Sequence, residues 1–163
     1  MRSLSLMVAA LTLAFCGQTN AQGIASSPLT PHRVVFVCEH GSVKSLIAMM
    51  YFNHRAQERG LAYRAVARGT APEPRVPSTV RDGLLTDGFD VSTFHPRQFR
   101  ASDAKQASLV VSFDQDVAKS IGASARYSRW DDLPGVLADY PRGRDEIARR
   151  VDALIDELVR RGP

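Results

Sequence analysis

The stretch Arg33-Val34-Val35-Phe36-Val37-Cys38-Glu39-His40-Gly41-Ser42-Val43-Lys44-Ser45 decides the reading of this chain. Val34 to Val37 is apolar without a break, and Arg33 to Val37 has strand length. Such runs belong to strands buried on both faces of a parallel sheet. A helical pattern takes over near Val43 and runs to about Arg59, with Leu46, Ile47, Met50 and Tyr51 on one stripe and Gly60 placed to cap its end. Between strand and helix lies a short loop. In open α/β sheets ligands bind there, at the carboxyl end of a strand and beside a helix N-terminus. Successive loop amides and the helix dipole make that position an anion site. A thiol in such a setting is held as thiolate, the nucleophilic form. Lys44 adds a cation six positions after Cys38, Ser45 can hydrogen-bond the sulfur, and Gly41 permits the positive φ that a tight cradle needs. A strand-end cysteine can also be a small, inert, buried side chain. Gly, Ser, Lys and Ser following Cys38 favour the anion site over that reading.

Outward from this segment, strand and helix signals alternate. Tyr63 to Ala67 reads as a second strand, and Gly69 to Pro77, with three prolines, as loop. Ser78 is placed to cap a helix carrying Val80, Leu84 and Leu85 and closed by Gly88. Asp90 to Thr93 reads as a short extended piece. Ser108 to Phe113 is the next buried strand, with Asp114-Gln115-Asp116 at its carboxyl end. Val117 to Ile121 is expected as a short helix and Tyr127 to Tyr140 as irregular chain. Ile147, Val151, Leu154, Ile155 and Leu158 mark a final helix from about Arg144 to Arg161. The alternation predicts an α/β fold, a three-layer sandwich with a central parallel sheet.

The 163 residues suit one domain, and 44% hydrophobic with 23% charged residues excludes a disordered chain or a multi-span membrane protein. A net charge of +4 suits an anionic ligand and is too small to argue for nucleic acid. Residues 1–21 read as a signal peptide: Arg2 near the start, an apolar run from Leu4 to Cys16, and small or polar residues to Ala21. The run is too short for a membrane span, which takes roughly 20 residues. Cleavage after Ala21 is expected, with Thr19 three residues back. Cys16 would mark a lipoprotein, but Phe15 before it is too large for that signal. Residues 22–31 read as a tether and 32–163 as the domain. The expectation is a periplasmic or secreted protein, free of the membrane after cleavage, with Cys38 as its one cysteine.

Cys38 to Ser45 resembles the phosphate loop of low-molecular-weight protein tyrosine phosphatases and their arsenate reductase relatives: Cys, five residues, Arg, Ser. Ala67-Arg68-Gly69-Thr70-Ala71-Pro72 is similar to the family's Ser-Ala-Gly-Thr segment. Asp90-Val91-Ser92 with His95-Pro96-Arg97 is similar to its Asp-Ile-Ser-x-His stretch. Trp130-Asp131-Asp132-Leu133-Pro134 resembles the loop that carries its general acid. The resemblance runs from about His32 to Arg161. It implies a phosphatase hydrolysing phosphate monoesters through a phosphocysteine on Cys38, with no metal or cofactor. The loop Glu39, His40, Gly41, Ser42, Val43, Lys44 and Ser45 would bind the phosphoryl oxygens. Ser45 would also support the thiolate, and Asp132 would give and take the proton.

The departures bear on chemistry. The family arginine is Lys44, a point charge in place of a planar fork. The loop asparagine is Gly41, and Leu133 separates Asp132 from Pro134. Two alternatives stay open: an arsenate reductase using an external thiol, and a non-catalytic oxyanion-binding protein. His40 either contacts the anion or faces solvent. His32, His54 and His95 lack metal-ligand spacing. Arg142, Arg144, Arg149 and Arg150 read as a solvated basic face, and Met49 and Met50 as core.

Overall fold

The computed structural model describes residues 31–121 and 125–161; the signal peptide and nearly all of the tether expected from the sequence lie outside them. β1 (His32–Cys38), β2 (Tyr63–Gly69), β3 (Leu109–Phe113) and β4 (Arg126–Trp130) form one sheet in the order β2-β1-β3-β4, all neighbours parallel. Val35 of β1 pairs with Val66 on one side and Val110 on the other.

The two faces of β1 explain its unbroken apolar run. Val34, Phe36 and Cys38 join a cluster with Leu46, Ile47 and Phe52 of α1 (Lys44–Glu58), Val80 and Leu84 of α2 (Ser78–Thr86), and Ile147, Val151 and Ile155 of α4 (Tyr140–Arg161). Val35 and Val37 face the opposite way, into a smaller cluster with Val110, Val117, Phe99 and Ala104, the last from α3 (Ala101–Lys105). A period-2 strand with helices on both faces must be apolar at every position. This is the three-layer α/β sandwich expected.

Several elements differ from the sequence reading. β4 occupies part of the segment expected to be irregular. It is an edge strand whose arginines face outward while Tyr127 and Trp130 pack on the sheet, so it lacks a continuous apolar run. α3 has no apolar stripe in the sequence to mark it; its first turn is held by Asp103, which accepts the Arg100 N–H at 3.1 Å. Asp90 to Thr93 is a turn rather than a strand, with the Asp90 carboxylate accepting the Ser92 N–H. Val117 to Ile121 shortens to one turn at Ala118–Ser120. α4 begins at Tyr140, and Pro77 rather than Ser78 precedes α2.

Arg144 is corrected from a solvated to a structural residue. Its guanidinium pairs with Asp87, at the end of α2, and lies 3.5 Å from the Tyr51 hydroxyl. Tyr140 donates to the same carboxylate at 2.7 Å. Burial, then the hydrogen bond to Asp87, pushes the Tyr140 phenol well above its ordinary range; burial also raises Tyr51. Met49 and Met50 pack against the larger core cluster as expected.

Candidate active site

The loop after β1 is organised around sulfur. Cys38 is 5% exposed, and its Sγ accepts the Gly41 N–H at 3.2 Å. The Ser45 hydroxyl lies 3.1 Å away and becomes the donor when the sulfur is ionised. Gly41 has φ +69°, which folds the loop back over the sulfur. α1 then starts at Lys44 with no side chain capping its first turn. Its N-terminal amides are therefore free of a side-chain acceptor, and the positive end of its dipole faces the loop.

The loop's carbonyls are turned away from the sulfur and held by the chain after β2. Thr70 N–H donates to Cys38 O, Ala71 N–H to Glu39 O and Glu73 N–H to His40 O, at 3.0, 2.8 and 3.2 Å. The amides of Glu39, His40, Ser42 and Val43 donate to no backbone carbonyl among the described residues. Consecutive amides left on one side of a loop form an anion nest. Two glycines make the contact possible. A Cβ on Gly69 would stand 2.8 Å from Gly41 N and from His40 C; a Cβ on Gly41 would stand 2.8 Å from Gly69 N. The Glu73 carboxylate completes the buttress. It accepts the buried Ser42 hydroxyl at 3.1 Å, and its other oxygen is 3.7 Å from His40 Nε2.

Above the loop opens a cleft of about 370 Å³. Cys38, Glu39, His40 and Lys44 line one side, Phe113, Asp114 and Gln115 the next, and Gly135 to Ala138 the aliphatic wall. The Lys44 ammonium, expected to reach for an oxyanion, is paired with the Asp114 carboxylate. Asp114 directly follows the buried strand β3 and holds φ +55°. β1 and β3 are neighbours in the sheet although β2 separates them in sequence. The cleft therefore lies where the strand order reverses, the usual ligand position in such sheets.

The structure does not bring Asp132 to this cleft. Trp130 is pinned against Phe36 and Phe113, and Leu133 and Val136 are buried. Between these anchors the chain turns at Asp132, φ +61°. Its side chain lines a separate hollow with Pro134, Asp139, Arg142 and Asp145. Asp131 pairs with Arg129. His40 is partly exposed and stands between Glu39 and Glu73.

The profile of the low molecular weight phosphotyrosine protein phosphatases matches residues 33–152, most of the chain. The chain belongs to this family. No curated protein matches it. Among solved structures it is similar to a thioredoxin-dependent arsenate reductase of Corynebacterium glutamicum, at 18% identity and TM-score 0.70. That match covers 85% of this chain and 66% of the reductase. It is also similar to the low molecular weight protein tyrosine phosphatase of T. tengcongensis, at 22% identity and TM-score 0.70, covering 78% of this chain and 100% of that one. An arsenate reductase in the phosphate-binding state has 19% identity and TM-score 0.67, with 78% and 98% covered. At these identities the likeness is one of fold.

Within the low-molecular-weight phosphatase frame, Glu73 has no signal in the sequence, and Gly69 and Asp114, which the motifs include, have no role assigned by them. Gly69 and Glu73 act on the loop through contacts between segments some 30 positions apart. Asp114 did carry a signal, an acidic residue directly after a buried strand. Its partner on α1 becomes evident only from the sheet order.

Proposed function

We propose that the chain is a cysteine-dependent phosphatase acting on phosphate monoesters through a phosphocysteine on Cys38. The observation that carries this reading is the sulfur at the base of an amide-lined loop, with two hydrogen bonds from Gly41 and Ser45. Those bonds stabilise a thiolate both as attacking group and as leaving group. In the first step the thiolate attacks phosphorus, the P–O bond breaks and the ester oxygen takes a proton from a carboxylic acid of the cleft. In the second, water attacks phosphorus and gives a proton back to that carboxylate, and the S–P bond breaks, returning its electron pair to Cys38. The loop amides face the three equatorial oxygens, where charge is spread in the transition state. The test is turnover of an aryl phosphate by reduced protein beside Cys38→Ser. Turnover that requires Cys38 is expected; equal rates in both proteins would overturn the reading.

One observation favours oxyanion binding without turnover: Lys44 is neutralised by Asp114. That reading expects phosphate binding in both proteins and turnover in neither. Arsenate with an external thiol is the third arm of the same assay, Cys38 being the free cysteine of the described residues. We also propose export, on the strength of the leader at residues 1–21; an intact mass lacking those residues is the expected result.

A further inference from the structure

We propose that Asp114, rather than Asp132, is the residue that exchanges protons with a bound oxyanion in the Cys38 cleft. The catalytic half of this proposal rests on the phosphatase reading; the binding half does not.

Asp114 lines the cleft that Cys38 opens into, and Asp132 lines another. The Asp114 side chain is 44% exposed, within reach of a ligand, and its carboxylate pairs with Lys44 at the first position of α1. Its backbone holds a left-handed φ at the end of a fully buried strand. The titratable groups that share the cleft with it are Lys44 from α1 and Cys38, Glu39 and His40 from the loop after β1. The wall from Gly135 to Ala138 contributes none, and Asp116 lies two residues further along its own loop.

Without a ligand, the ammonium and carboxylate satisfy each other. A phosphate dianion settling on the loop amides takes over the charge of Lys44 and sets two negative charges beside Asp114. Two anions at short range do not both stay ionised in a partly enclosed site, so the carboxylate takes up a proton. It is then an acid placed in the cleft into which the ester oxygen departs. In the first step its proton passes to that oxygen while the thiolate forms the S–P bond and the P–O bond breaks. In the second step the Asp114 carboxylate takes a proton from water as the water oxygen attacks phosphorus. The S–P bond then breaks, and thiolate, inorganic phosphate and protonated Asp114 result. The acid is regenerated for the next ester.

The test uses reduced full-length protein and two readouts. Calorimetry of inorganic phosphate binding in buffers of different ionisation heat counts protons taken up. Wild type and Asp132→Asn are expected to take up a proton in excess of that released or bound by phosphate itself. Asp114→Asn is expected to lose that uptake and to bind phosphate more tightly, because Lys44 is no longer shared. Asparagine tolerates positive φ, so this variant keeps the turn. In turnover, Asp114→Asn is expected to lose about 10²–10⁴-fold on phenyl phosphate. The loss on p-nitrophenyl phosphate should be much smaller, since that leaving group needs little help. Undiminished uptake in Asp114→Asn, or transfer of the effect to Asp132→Asn or to a His40→Gln control, would overturn the proposal. Failure of wild type to bind phosphate would overturn it together with the phosphatase reading. The expected calorimetry with no turnover would sustain the proton exchange and remove the phosphatase reading alone.

Discussion

Gly69 offers a perturbation of the site that touches no ligand-binding side chain. It ends β2 with its Cα against the back of the phosphate loop, and Thr70, Ala71 and Glu73 beyond it hold the loop's carbonyls. In Gly69→Ala the new methyl would stand 2.8 Å from Gly41 N and His40 C, and 2.9 Å from Glu39 O. All three are backbone atoms, so no side chain can swing aside. Ordinary contact begins at 3.4 Å, and the loop must therefore retreat by about 0.6 Å. The displaced atoms are those that set the Gly41 N–H on the sulfur and orient the neighbouring amides of the proposed anion nest. A misplacement of about 1 Å at a reacting centre costs on the order of 10²-fold; the smaller shift here predicts a loss of about tenfold or more in phosphate affinity and in aryl phosphate turnover. Overpacking of this kind costs about 1–3 kcal/mol of stability. Urea unfolding followed by phosphate calorimetry on the folded variant separates the two effects. A variant destabilised within that range but unchanged in both phosphate affinity and turnover would refute the buttress, because the site would then tolerate a shifted loop.

Ser45→Ala removes one of two hydrogen bonds to the sulfur. A bond to a charged group contributes about 1.5–3 kcal/mol, so iodoacetamide alkylation at neutral pH should slow by roughly 10-fold or more. Lys44→Arg should raise turnover, by no more than about 10²–10³-fold, because a guanidinium grips two phosphoryl oxygens in a planar fork where an ammonium offers one point charge; lost turnover, measured on the same aryl phosphate, would show a loop adapted to lysine. Tyr140→Phe should destabilise the fold near neutral pH by about 1.5–3 kcal/mol through the lost bond to Asp87. The contribution is lost at alkaline pH: the folded phenols of Tyr140 and Tyr51 ionise above their ordinary value of about 10, so the unfolded chain gives up protons first. Wild-type stability should therefore be intact below that pH and fall above it. Tyr140→Phe should flatten that decline in urea unfolding, and tyrosine absorbance in the folded protein should titrate late.

Elements whose signal is local are legible in the residues alone. The apolar run to Cys38 read as a doubly covered strand because both of its faces are buried. The stripe of α4 and the Cys-to-Ser spacing of the loop were equally direct, and Ser45 falls on the sulfur as its position implied. A turn of helix and a tight loop have few ways to arrange themselves, so spacing alone positions such groups. Relations across the sheet arise only when the chain is folded. β4 is a strand because β3 offers an edge to it, not because Arg126 to Trp130 forms one by pattern. Gly69 matters because another backbone lies against it. Arg144 is a structural residue because α2 ends beside the start of α4. The acid of the cleft is set by the same relations. Asp132 had the better local context and Asp114 has the better place, since parallel order sets the carboxyl end of β3 next to that of β1 while Trp130, Leu133 and Val136 anchor the neighbouring loop elsewhere. Charge pairs such as Lys44 with Asp114 join residues 70 positions apart, and only the folding of the sheet between them brings such residues together.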